Sequence, residues 1–106
     1  MLRCMIARIW RGRATAGHAE AYASHAARSV FPALGRLAGQ RGAWLLRRDL
    51  DDGVEFVAVT LWESRRSIEA FTGPDIARSV VEPEARAVLV EFDDFATHYE
   101  VVLRAD

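Results

Sequence analysis

The order of strand-like and helix-like segments predicts an α+β domain with the β-α-β-β-α-β arrangement of a ferredoxin-like sheet. Three observations carry that prediction. Short apolar runs alternate with helical patterns along 106 residues, a length that holds one domain (residues 1–106) around one modest core. Two of the runs flank Asp51-Asp52-Gly53, a turn sequence that makes them a hairpin. The run after that turn is apolar almost without a break from Phe56 to Val59, as in a central strand buried on both faces.

The first strand is expected over Cys4 to Arg11, with Met5, Ala7 and Ile9 on one face and Cys4, Ile6, Arg8 and Trp10 on the other. Arg8 therefore places a cation in an apolar face. Thr15 offers an N-cap for a helix running towards Val30, in which Tyr22, Ala26 and Val30 recur every four residues as an apolar stripe. Pro32 is expected to disrupt that helix, and Gly35 to Gly42 to form a loop. The hairpin strands are Ala43 to Leu50 and Val54 to Trp62. Glu63-Ser64 opens a second helical region that turns Ile68 and Phe71 inwards, until Thr72-Gly73-Pro74-Asp75 breaks it. Asp75 to Val81 is read as a further short helix. Pro83 suits the first turn of another, with Ala87, Val88 and Leu89 to bury. Asp93-Asp94 ends it, and Thr97 to Leu103 is the last strand.

Composition narrows the function classes. The chain is 51% hydrophobic and 27% charged with a net charge of −1, so it carries no basic footprint for nucleic acid. All 14 Lys-plus-Arg positions are arginine, and asparagine is absent too. No amine is available for a Schiff base, and no asparagine amide to donate hydrogen bonds in a site. One cysteine, Cys4, excludes an internal disulfide and a cysteine-based zinc cluster. His18 and His25 are seven residues apart, too far for an i,i+4 metal pair, and no metal is expected. No apolar run approaches a membrane span of roughly 20 residues. Met1 to Trp10 is interrupted by arginines and lacks the parts of a signal peptide, so a cytoplasmic location is expected.

Helices cover only one face of such a sheet. The other face would carry the Arg8/Trp10 or the Ala7/Ile9 set, Trp44 and Trp62 or their neighbours, and half of the last strand. Burial against an identical sheet is the simplest way to keep that surface dry, which predicts a two-fold homodimer.

Met5 to Gly12 ("MIARIWRG"), Leu45 to Ser64 ("LLRRDLDDGVEFVAVTLWES") and Glu82 to Val101 ("EPEARAVLVEFDDFATHYEV") resemble the antibiotic biosynthesis monooxygenase-like family. The resemblance spans nearly the whole chain. It implies the dimeric α/β barrel fold, in which two ferredoxin-like sheets pack face to face. Family membership covers unrelated activities, so two branches matter. Haem-degrading relatives use a first-strand asparagine and a tryptophan and histidine about ten positions apart. Here the matching positions hold Phe71 and Val81, and no asparagine exists. Quinone-forming relatives use no cofactor, because a polycyclic phenol itself supplies electrons to O2; they often rely on a first-strand asparagine, and here Arg8 is on that strand instead.

The resemblance thus implies a cofactor-independent monooxygenase for a small aromatic or polyketide-like compound. By residue type, and not by a motif match, Arg8 would hold an anionic substrate, His98 would take its proton, and Trp62, Phe71 and Tyr22 would line the pocket. The competing account is a non-catalytic small-molecule-binding or structural dimer of the same fold. In it, Arg8 pairs with Glu55 or Glu100 across neighbouring strands, the tryptophans are core or interface anchors, and His98 ties the last strand in place. Glu82, Glu84 and Arg86 are then an exposed helix start whose acids face its positive end. Alternation puts His98 and Glu100 on one face of the last strand and Tyr99 on the other. Which of these faces lies under the helices is left open by the sequence.

Overall fold

A computed structural model describes residues 5–105. The elements are β1 (Ile6–Ala14), α1 (Ala19–His25), a π-helical turn (Ala26–Val30), α2 (Phe31–Gly35), β2 (Gln40–Leu50), β3 (Gly53–Trp62), α3 (Arg65–Thr72), α4 (Pro83–Val88), β4 (Glu91–Phe92) and β5 (Thr97–Glu100). The strands form one antiparallel sheet in the order β2-β3-β1, with β4 and β5 sharing the far edge of β1. This is the ferredoxin-like arrangement, with its last strand split in two. No helix among the described residues is long and apolar enough to cross a membrane.

Several boundaries differ from the sequence reading for identifiable reasons. β1 runs through Gly12 to Ala14, because Gly12 leaves room for the Trp10 indole to lie across it. Pro32 does not end the first helical segment. It stands at the start of α2, directly after the π-helical turn, where its missing N–H costs little. Thr15 does not cap α1; the N-cap is His18, with no side-chain bond. Residues 75–81 are not helical: Ala77 and Ser79 exchange backbone hydrogen bonds with the 94–96 segment instead. In α4 the buried residue is Ala85, whereas Ala87 is exposed. Cys4 lies outside the described residues.

The hairpin and the second helical region follow the sequence closely. β2 and β3 pair from Leu50↔Gly53 outwards across a two-residue turn. Gly53 has φ 153°, and a Cβ there would stand 2.5 Å from the Ala14 carbonyl oxygen, so only glycine fits this turn. Ser64 caps α3 by accepting from the Ser67 N–H, while the Ser67 hydroxyl accepts from the Ser64 N–H.

Register settles the two faces. Even-numbered residues of β1 and β3 face the helices, together with Ala43, Leu45 and Arg47 of β2 and His98 of β5. The opposite face carries Ala7, Ile9, Val57, Val59, Leu61, Trp44, Leu46 and Tyr99. Trp44 and Trp62 therefore lie on opposite sides of the sheet. Trp44 is half-exposed on the uncovered face, and Trp62 is fully buried under the helices.

Candidate functional site

Under the helices the sheet alternates in rows. Phe56, Gly12 and Phe92 form one row, and Ala58 and Trp10 the next. Trp62, Ile6 and Glu100 form the last. Between the final two runs a polar row, Thr60–Arg8–His98, taken one residue each from β3, β1 and β5. The core accordingly divides into two apolar clusters. One gathers Trp10, Tyr22, Phe56 and Ala85; the other gathers Ile6, Leu34, Trp62 and Ile68. Helix side chains cannot close over a guanidinium as they close over Leu or Val, and the gap between the clusters opens above Arg8.

Arg8 is 5% exposed. Its Nη2 donates to the Arg78 carbonyl at 2.8 Å and its Nε to the Ile76 carbonyl at 3.4 Å. Its guanidinium carbon lies 5.4 Å from the centre of the Phe71 ring, a cation–π contact. No carboxylate pairs with it among the described residues. The expected partners are elsewhere: Glu55 lies on the opposite face, held by Arg11 and Arg48, and Glu100 stands opposite Ile6. Burial pulls the Arg8 pKa down to about 10, so the side chain is still a cation at neutral pH.

A cleft between sheet and helices contains Arg8 in its wall, with Tyr22, Phe71, Thr60, Val81 and Glu82 among its other lining residues. It is narrow, with a cavity volume of about 50 Å³. It is a mostly apolar slot with one cation, and the one carboxylate on its wall, Glu82, lies against His25. Burial raises the Tyr22 phenol to about 12, so it stays neutral. A wider hollow of about 440 Å³ lies at the sheet end by Arg11, Arg13, Asp52 and Glu55, but its charges satisfy one another through the Arg11–Glu55, Arg13–Asp52 and Arg13–Glu91 pairs.

Three of the five residues singled out from the sequence, Arg8, Tyr22 and Phe71, thus share one cleft. Trp62 does not line it. It is packed behind Phe71, with ring centres 6.1 Å apart, and its Nε1–H donates to the Thr60 hydroxyl at 2.8 Å. His98 faces the helix side beside Arg8 but is not part of the cleft wall, and its Nε2 is buried without a hydrogen-bond partner. Burial, then the nearby Arg8 and Arg65 cations, pushes His98 below the ordinary 6.5, which leaves a neutral imidazole at pH 7. The sign of the linkage is direct. As pH falls below 6.5 the unfolded chain takes up a proton that the folded chain resists, so folding stability falls. A His98→Gln variant is expected to lose less melting temperature than wild type between pH 7.5 and pH 5; parallel losses would refute this account of His98.

Sequence reasoning overlooked Thr60 and underused Glu82. Thr60 carries no motif, and only its register opposite Arg8 makes it notable. Glu82 lines the cleft and also approaches His25, whose Nε2 lies 3.5 Å from it while Nδ1 lies 3.3 Å from Glu84. The acids at the start of α4 thus do more than meet a helix end, and the His25 side chain is 8% exposed. His18, by contrast, is exposed. No group of three or more His, Cys, Asp or Glu among the described residues is placed to hold a metal ion.

No protein-family model matches the chain, and no curated protein sequence matches it either. Solved structures do. A protein of unknown function from Nitrosomonas europaea superposes with a TM-score of 0.72 at 17% identity, over 97% of this chain and 94% of that one. The cofactor-independent oxygenase SnoaB from Streptomyces nogalater gives 0.60 at 21% identity, over 96% and 95%. A haem degrader from Mycobacterium tuberculosis gives 0.60 at 25% identity, over 95% and 99%. The chain therefore has the ferredoxin-like fold of the antibiotic-biosynthesis-monooxygenase-like proteins. One fold serves both a cofactor-free oxygenase and a haem degrader, so the fold does not choose between them.

Proposed function

We propose that this protein is a cofactor-independent monooxygenase-like enzyme whose cleft holds a small phenolic or enolic aromatic compound as its anion against Arg8. The observation that carries this is a buried guanidinium with no carboxylate partner among the described residues, set in a mostly apolar cleft whose one acid, Glu82, is turned to His25. Burying an unpaired charge is unfavourable, and an anionic ligand would supply the missing counter-charge. Phe71 and Tyr22 form aromatic walls. His98 stands beside Arg8 at the margin of the cleft and is assigned the proton-accepting role on the strength of that place, its unpartnered Nε2 and its neutral state.

The chemistry needs no redox group from the protein. An anthrone-type substrate loses a proton to give an anion delocalised onto the oxygen near Arg8. Its ring CH2 carbon then reduces O2, so that one oxygen atom becomes the new carbonyl and the other leaves as water. Haem fits the cleft poorly by its donors. The lining holds no histidine, cysteine or methionine, and its one phenol is kept protonated by burial.

Oxygen uptake with a panel of hydroxylated anthrones and naphthols is the test. Turnover that falls roughly 100-fold or more in His98→Ala is expected, the lower end of general acid–base contributions. Absence of turnover across the panel would remove the enzyme. The narrowness of the slot favours one second reading, a dimer that binds a small molecule without converting it. Binding without oxygen uptake would establish that instead.

We also propose that a second copy covers the open sheet face. Trp44 and Leu46 are each 49% exposed there and Tyr99 57%, around the half-buried Ile9, Val57, Val59 and Leu61. A continuous apolar face of this kind calls for a partner, and a two-fold copy presents the matching surface.

A further inference from the structure

We propose that the Thr60 hydroxyl is the second donor of the Arg8 anion site, and that the Trp62 indole holds it in the donating orientation. The assignment rests on the reading of the cleft as an anion site and adds the group that completes it. Thr60 is 4% exposed, lines the cleft, and stands directly opposite Arg8 on the same face of the sheet. Opposed residues of this kind place their Cβ atoms roughly 5 Å apart, so both side chains reach one ligand atom above the sheet.

The direction of the Thr60 bond follows from chemistry. An indole nitrogen only donates, so the 2.8 Å contact makes Thr60 Oγ1 the acceptor. That occupies one lone pair and leaves the hydroxyl proton to be given away. Among the described residues nothing accepts it. A buried hydroxyl that accepts from a fixed donor and donates to no one is a preset donor for a ligand. Trp62 is itself fully buried and stacked on Phe71, whose ring also faces Arg8. Thr60 and Arg8 together form a two-donor pocket for a single charged oxygen, such as an enolate or phenolate. Trp62 is a positioning residue; it acts through Thr60 without touching the ligand.

The test uses two coloured probes of nearly equal shape. 2-Hydroxy-1,4-naphthoquinone is an enolate at neutral pH, and 2-methoxy-1,4-naphthoquinone is its uncharged analogue. Binding to the full chain is followed by visible absorption and calorimetry. Thr60→Val should weaken the enolate roughly 10- to 100-fold and leave the methoxy compound unchanged. Thr60→Ser should restore enolate binding to within a few-fold, and Thr60→Ala serves if the valine variant does not fold. Trp62→Phe should weaken the enolate selectively, and in a Thr60→Val background it should add nothing.

Failure of both probes to bind wild type overturns the cleft reading and this assignment with it. Enolate binding that depends on Arg8 but is unchanged in Thr60→Val overturns the Thr60 assignment alone. Equal losses for both probes in Thr60→Val also overturn it, since a packing role would act on either molecule.

Discussion

Replacing Arg8 by methionine is expected to weaken binding of an enolate probe such as 2-hydroxy-1,4-naphthoquinone by roughly 100-fold or more, while folding stability changes by no more than about 2 kcal/mol. The first figure is the loss of a charge-assisted hydrogen bond in a desolvated slot. The second is the balance of two opposing changes. Methionine relieves the desolvation of a buried cation that has no ion-pair partner among the described residues, the same effect that lowers its pKa to about 10. Against that, the carbonyls of Ile76 and Arg78 lose their donors and Phe71 loses its cation. Calorimetric binding beside a thermal melt separates the two quantities. A variant that melts far below wild type yet binds the enolate undiminished would make Arg8 a structural clasp on the 76–78 segment.

Replacing Trp44 by arginine is expected to convert a wild-type dimer into a monomer, with the dissociation constant rising at least roughly 30-fold, the effect of losing one interface hot spot of about 2 kcal/mol. Trp44 neighbours Val59 on the open face, and Leu46 neighbours Val57. The face is apolar at this end and charged at the other, where Glu55 sits between Arg11 and Arg48. An arginine at position 44 would put a further cation onto that surface at its apolar end, with no acid beside it. Because Trp44 is on an edge strand and half-exposed, the protomer should keep its fold, which circular dichroism would check. Sedimentation equilibrium gives the answer. A wild-type chain that stays monomeric at high concentration would leave the open face to some other covering.

Much of the architecture was legible in the residues. Local signals do not depend on distant parts of the chain: Asp51-Asp52-Gly53 makes its turn, Ser64 caps α3, and Pro83 starts α4. The regions that departed from expectation are those where a tertiary contact overrides local preference. Residues 75–81 carry a helical pattern but are pulled into hydrogen bonds with the 94–96 segment. Pro32 marks a break by its own chemistry, yet a π-helical turn carries the chain past it.

The candidate site was legible only in part, for the same physical reason. Period-two alternation assigned Arg8 to the side of Ile6 and Trp10, and His98 to the side opposite Tyr99, because side-chain parity within one strand is local. Parity between strands is not local. It depends on hydrogen-bonding register, which is fixed by residues far apart in sequence. So the sequence by itself determined the element order, the turn positions and the presence of a cation in an apolar strand face. Only the tertiary structure decided that this face lies under the helices, that Trp44 and Trp62 part company across the sheet, and that Thr60, Arg8 and His98 form one row. Register aligned the three strands, and the apolar clusters on either side of that row left the polar groups nowhere to go but the cleft and its margin.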